Sequence, residues 1–155
     1  MKKKVMVAID ENECSYYALE WTLDKLRDTI ADSELIIFTA QPFSSLNIGY
    51  VHASTFGVTS PELIKSIQEN QHRAALALLE KAKEICANKG IVAETVTEVG
   101  DPKEAISEAV EKLNIELLVL GSNNRGALGR AFLGSVSNYC VHHAKCPVLV
   151  VKKPA

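Results

Sequence analysis

With 155 residues, 47% of them hydrophobic and 23% charged, the chain is long enough to bury a core without metal or disulfide staples and reads as one domain over residues 1–155. A net charge of −2 excludes the broad positive field that draws nucleic acid or anionic membrane, so neither is an expected partner. Four cysteines without a Cys-x-x-Cys pair, and an N-terminus without a signal peptide's apolar region, point to reduced thiols and a cytoplasmic protein, with the nucleus as the alternative.

Lys2-Lys3-Lys4 reads as a solvated end before the first strand. Val5-Met6-Val7-Ala8-Ile9 is a continuous, branched apolar run, the pattern of a strand covered on both faces, and it stops at Asp10. Asn12 is the expected N-cap of a helix whose apolar positions Leu19, Leu23, Leu26 and Ile30 recur at spacings of three and four. Leu35-Ile36-Ile37-Phe38 predicts a second buried strand. A long polar and small-residue segment follows, over residues 41–59, expected to cover a site or a partner.

Ser60-Pro61-Glu62 sets up the next helix, with Ala75, Leu78, Leu79, Ala82 and Ile85 as its inward stripe and Lys89-Gly90 as its end. Residues 92–99 alternate like a strand near a sheet edge. Asp101-Pro102-Lys103-Glu104 combines an N-cap, a first-turn proline and a capping-box glutamate ahead of Ile106, Ala109, Val110 and Leu113. A strand ending at Leu120, a glycine-rich loop, a helix from about Ser135 to His143 and a strand at Val148-Leu149-Val150-Val151 complete the chain. Five strands alternating with four helices specify an α/β fold: a parallel sheet with helices on both faces, because each right-handed crossover must pack back on the sheet.

Ligands of such folds bind beyond the carboxyl ends of the strands, where the strand order reverses. Asp10 and Gly121 each follow the carboxyl end of a strand. If those strands are neighbours, a carboxylate faces the glycine-rich loop across one crevice. That loop runs from Gly121 to Ser137, and a turn of this kind offers backbone N–H groups at the positive end of a helix dipole, suited to phosphate. It lacks the Gly-x-Gly-x-x-Gly fingerprint. Gly129 and Gly134 have the outer spacing of a P-loop, but Ser135 stands where its lysine belongs.

The region instead resembles the universal stress protein family, whose pattern is glycine, two residues, glycine, nine residues, glycine and then serine or threonine. Gly121, Gly134 and Ser135 match it in register, while Asn124 stands at the second glycine. The resemblance extends from Val7-Ala8-Ile9-Asp10 and Tyr17-Ala18-Leu19 to Leu133-Gly134-Ser135-Val136-Ser137 and Cys146-Pro147-Val148-Leu149-Val150-Val151, and is strongest to single-domain plant members. It implies a Rossmann-like open five-stranded sheet of order 3-2-1-4-5. It also implies a bound ATP or AMP, with magnesium or manganese held through the phosphates, and a role as a sensor or regulator of the stress response.

Carried onto this chain, the resemblance puts Asp10 on the ribose and the backbone of Ala40 on the adenine edge. Gly121, Asn123, Asn124, Gly134, Ser135, Val136 and Ser137 fall on the phosphates. Asparagine tolerates positive φ, so the turn survives at Asn124, but its side chain takes space that a phosphate approach uses. Arg125 and Arg130 read equally as phosphate partners and as solvated loop residues.

The apolar strand Val148–Val151 is an expected sheet edge; pairing with the same strand of a second copy would cover it, and the family resemblance implies such homodimers. His142-His143 at a helix end read as dipole partners rather than zinc ligands. Cys14 and Ser15 have no identifiable base, and no catalytic residue is assigned. Two alternatives to the sensor stand: a slow ATPase or phosphotransfer enzyme, and an interaction module that has lost nucleotide binding, the latter motivated by Asn124 and the segment over residues 41–59.

Overall fold

The computed structural model describes residues 2–42, 61–122 and 134–154. Gln41 of the long segment ends a strand, while residues 43–59 and most of the glycine-rich loop, with Asn123, Asn124, Arg125 and Arg130, lie outside the described residues. In chain order the elements are β1 (Lys3–Ala8), α1 (Glu13–Lys25), α2 (Arg27–Ala31), β2 (Ser33–Gln41), α3 (Pro61–Asn88), β3 (Ala93–Val99), α4 (Pro102–Lys112), β4 (Leu117–Gly121), α5 (Ser135–His143) and β5 (Val148–Val151).

The strands form one parallel sheet of order β3-β2-β1-β4-β5, as expected. β1 is central because its side chains are apolar on both faces, and only a strand covered twice tolerates that pattern. Val7 pairs with Ile37 of β2 on one side and with Val119 of β4 on the other. Adjacent residues of β1 then supply two cores. Val5, Val7 and Ile9 pack with Leu19 and Leu23 of α1 and with Leu79, Ala82 and Cys86 of α3. Met6 and Ala8 pack with Ile106, Ala109 and Val110 of α4 and Cys140 of α5 on the opposite face. Each large aliphatic side chain buried in these layers contributes about 2 kcal/mol.

β3 and β5 are the two edges of the sheet, β3 as its alternation suggests. The residues of β5 are only half-buried until Val151.

Local details depart from the sequence expectation in three places. The helix read through Leu19 to Ile30 breaks at Leu26, whose φ of −108° and ψ of 26° end α1 and start α2, so the described residues hold five helices and not four. The break turns the chain so that Ile30 is buried while Leu26 stays half-exposed. Asp101 occupies the cap position of α4 but makes no side-chain cap; its carboxylate lies 3.4 Å from Lys103 Nζ, and Ala105 N–H donates to the Asp101 carbonyl at 2.8 Å. In α3 the core-facing stripe is Ala75, Leu79, Ala82 and Cys86, with no buried residue before Ala75. No described helix is long and apolar enough to cross a membrane.

Candidate functional site

Strand order decides where the site lies. β1 leads outward through β2 to β3, while β4 and β5 extend from its other side, so the order reverses between β1 and β4. At that reversal the loops leaving the two strands diverge and open a crevice. The adjacency on which the carboxylate and the glycine loop depend is therefore present. The crevice has a volume of about 550 Å³, within the range of small-molecule sites.

Asp10 stands at the mouth, one residue beyond Ile9, whose N–H donates to the Phe38 carbonyl at 2.8 Å and whose own carbonyl accepts from Thr39 Oγ1 at 2.7 Å. Asp10 N–H donates to Ser15 Oγ at 3.1 Å, and Ser15 Oγ donates to the Asn12 carbonyl at 2.8 Å. The Ser15 hydroxyl thus fixes the turn between β1 and α1 and is not poised for attack. Asp10 Oδ1 accepts the Asn12 N–H at 2.8 Å, while Asn12 caps α1 by accepting the Cys14 N–H at 2.9 Å. This Asx-turn holds the exposed carboxylate over the crevice.

On the facing wall, β4 ends at Gly121, and α5 begins at Ser135 after its cap, Gly134. Gly134 is extended, with φ −61° and ψ 161°, and its carbonyl accepts the Asn138 N–H at 2.9 Å. The N–H groups of Ser135, Val136 and Ser137 belong to the first turn, where a helix has no carbonyls of its own to receive them. Ser137 Oγ donates back to the Gly121 carbonyl at 3.3 Å and ties the start of α5 to the end of β4. Ser137 is buried and Ser135 exposed, so the two hydroxyls have different duties: one holds the wall and the other faces solvent.

Asp10, Ala40, Gly121, Gly134, Ser135, Val136 and Ser137 all line this one crevice. Asn123 and Asn124 are not among the described residues. Several lining residues carry no site motif in the sequence: Gln41 at the end of β2, Gln71 and Ala74 on α3, and Pro102 and Ile106 of α4, the last two read there only as a helix start and an apolar face. Their only signal was position, since Gln41 and Pro102 also follow or end strands at the carboxyl edge of the sheet.

Tyr16 lies behind the Asp10 turn, donating its hydroxyl to the Leu78 carbonyl at 3.3 Å. Burial, and secondarily the negative charge of Asp10, push its pKa above the ordinary tyrosine value, so it remains a protonated donor that fastens α1 to α3. His142 and His143 each donate from Nδ1 to the carbonyl four residues earlier, at 2.8 and 2.9 Å, and His143 stacks on Tyr139. They are helix-end residues. Among the described residues no group of three or more His, Cys, Asp or Glu side chains is arranged to hold a metal.

Comparison with known proteins agrees with this fold. The model of the universal stress protein family matches residues 1–152. A universal stress protein A-like protein of Arabidopsis thaliana is 31% identical over 162 aligned positions, covering 98% of this chain and 91% of the relative. A universal stress protein of Bacillus subtilis is 30% identical over 153 positions, covering 98% of this chain and all of its own. Among solved structures, a family member from Arabidopsis thaliana with AMP bound superposes with a TM-score of 0.70 at 29% identity, covering 99% of this chain and 93% of that one.

Proposed function

The chain belongs to the universal stress protein family, and from that premise we propose that the crevice binds an adenine nucleotide, AMP or ATP, and that its occupancy is the signal by which the protein acts as a sensor or regulator of the stress response. The observation that carries this reading is the pairing of an exposed carboxylate, Asp10, with the opening turn of α5 across a crevice of about 550 Å³. A carboxylate accepts hydrogen bonds from ribose hydroxyls. The N–H groups of Ser135, Val136 and Ser137, with the helix dipole behind them, suit phosphate oxygens. The AMP-bound Arabidopsis structure supports the same assignment.

In this reading Ala40 contacts the base, and Gly121, Gly134, Asn123 and Asn124 complete the phosphate side. Magnesium or manganese enters only through the phosphates of the ligand. A second copy pairs along the outer edge of β5, which has no strand partner among the described residues. The protein works in the cytoplasm.

The test is to purify the protein without added nucleotide, denature it and identify any released small molecule by mass spectrometry. AMP, ADP or ATP near one per chain is the expected result. Failure of all three to bind at about millimolar concentration in calorimetry, where Kd values of that size already correspond to only ~4 kcal/mol, overturns the reading. Slow hydrolysis is the enzymatic alternative, and turnover that survives both Asp10→Ala and Ser135→Ala would belong to a contaminant. A non-binding interaction module is favoured by Asn124 at the family's second glycine. Asn124→Gly separates the two cases: affinity gained only in the variant favours the module, and equal affinity makes asparagine a neutral choice.

A further inference from the structure

Gln41 closes β2 beside Ala40, lines the crevice and is only 6% exposed. Its amide nitrogen lies 3.3 Å from Thr97 Oγ1 on β3 and 3.2 Å from His72 Nδ1 on α3. The Thr97 hydroxyl has one proton, and it is donated to the Thr39 carbonyl at 2.8 Å. Thr97 can therefore only accept from Gln41, so the group facing it must be the NH₂ and not the amide oxygen. The second amide hydrogen goes to His72 Nδ1, which places the ring's own N–H on Nε2. Turning the amide over would set its oxygen against the Thr97 oxygen, acceptor against acceptor.

With both hydrogens of Nε2 spent, the side chain offers the pocket only its oxygen. Oε1 has no partner among the described residues, and no buried side-chain oxygen or nitrogen there is left unpaired. Oε1 is therefore not fully enclosed by the described residues, and Gln41 is one of the residues that line the crevice. A nearly buried acceptor with a fixed orientation favours a ligand that brings an N–H donor to it and leaves one without that donor unrewarded.

We propose that Gln41 is a specificity-determining residue whose Oε1 accepts a hydrogen bond from the 6-amino group of the base, held in place by Thr97 and His72. The proposal rests on the nucleotide reading of the crevice. It adds to the Ala40 backbone a side-chain acceptor that the family pattern does not name.

The experiment measures by calorimetry the affinities of AMP and of purine riboside 5′-monophosphate, which lacks only the 6-amino group, for the native protein, Gln41→Met and Gln41→Leu. The native protein is expected to prefer AMP by about tenfold or more, the worth of one well-placed hydrogen bond. Gln41→Met and Gln41→Leu, neither with an acceptor, should each lower that preference by about tenfold. A Met variant with undiminished preference overturns the proposal, as does a native protein that binds both nucleotides equally. If Gln41→Met does not fold, undiminished preference in Gln41→Leu overturns it alone. A native protein that binds neither nucleotide removes the nucleotide reading itself, an outcome distinct from all of these.

Discussion

Gly121 lies against the first turn of α1 so closely that a Cβ placed on it would stand 2.7 Å from the carbonyl carbon of Cys14 and 2.9 Å from the nitrogen of Ser15, with the Cys14 carbonyl oxygen closer still. The atoms in the way are backbone, which cannot swing aside as a flexible side chain would. This glycine thus allows the end of β4 to touch α1, a packing duty separate from any contact with phosphate. Gly121→Ala should destabilise the protein by about 1–3 kcal/mol through overpacking. Urea unfolding measures it, and unchanged stability would mean that α1 shifts freely.

Asp10 is exposed and holds one N–H of its own turn, so its removal should cost the fold little and the site much. Asp10→Ala is expected to weaken AMP by about tenfold or more, with a melting temperature close to native. Asp10→Asn keeps an oxygen for Asn12 but loses the charge, and should fall between the two. Calorimetry that finds Asp10→Ala binding AMP with native affinity takes this residue out of the site.

Asn12 caps α1 through the Cys14 N–H, and α1 carries Leu19 and Leu23 into the core. Asn12→Ala should cost about 1 kcal/mol, the usual worth of an N-cap. The measurement is again equilibrium unfolding; a loss under about 0.3 kcal/mol would show that the Asx-turn at Asp10 holds the helix start without it.

Cys86 is fully buried between α3 and the sheet, and burial pushes its thiol up to about 11 from 9.0. A raised native pKa means that the folded state holds its proton more tightly than the unfolded state does. The stabilisation is complete below about pH 9 and is lost as the pH rises toward about 11. Burial raises Cys140, Cys146 and Tyr16 in the same direction, which adds to the alkaline loss. The Cys86 share is on the order of 2 kcal/mol. Unfolding at about pH 8 and about pH 11 should show a smaller alkaline loss for Cys86→Ala than for the native protein; equal losses would rule out this thiol as a source.

Cys14 lines the crevice and is half-buried. A saturating concentration of AMP should slow its alkylation by iodoacetamide several-fold while leaving the rate at half-buried Cys146 unchanged, read by peptide mass spectrometry. Equal rates with and without nucleotide would place AMP elsewhere.

Much of this protein was legible one residue at a time. β1 and β2 announced themselves as unbroken apolar runs because a strand covered on both faces needs apolar side chains at every position. The pairing of Pro61 and Pro102 with helix starts follows from a ring that fixes φ and has no N–H to leave unpaired. Asn12 was recognisable as a cap for a similarly local reason. Asp101 had the same credentials and makes no side-chain cap; its carboxylate lies beside Lys103 instead.

The relationships that make the crevice were not local. Periodicity reports which face of an element is apolar, but not what it packs against. Gly121 meeting Cys14, and Gln41 oriented by His72 and Thr97 from two other elements, exist only because five strands line up in register and bring their carboxyl ends together. The break at Leu26 has the same origin, since the helical spacing continues through it and only the path back to β2 forces the turn. The kinds of elements, their order and the family motif depend on near neighbours along the chain, and these the amino-acid order alone specifies. Close packing and hydrogen-bond geometry between distant segments decided which atoms face the crevice, and those distances are set only when the sheet has formed.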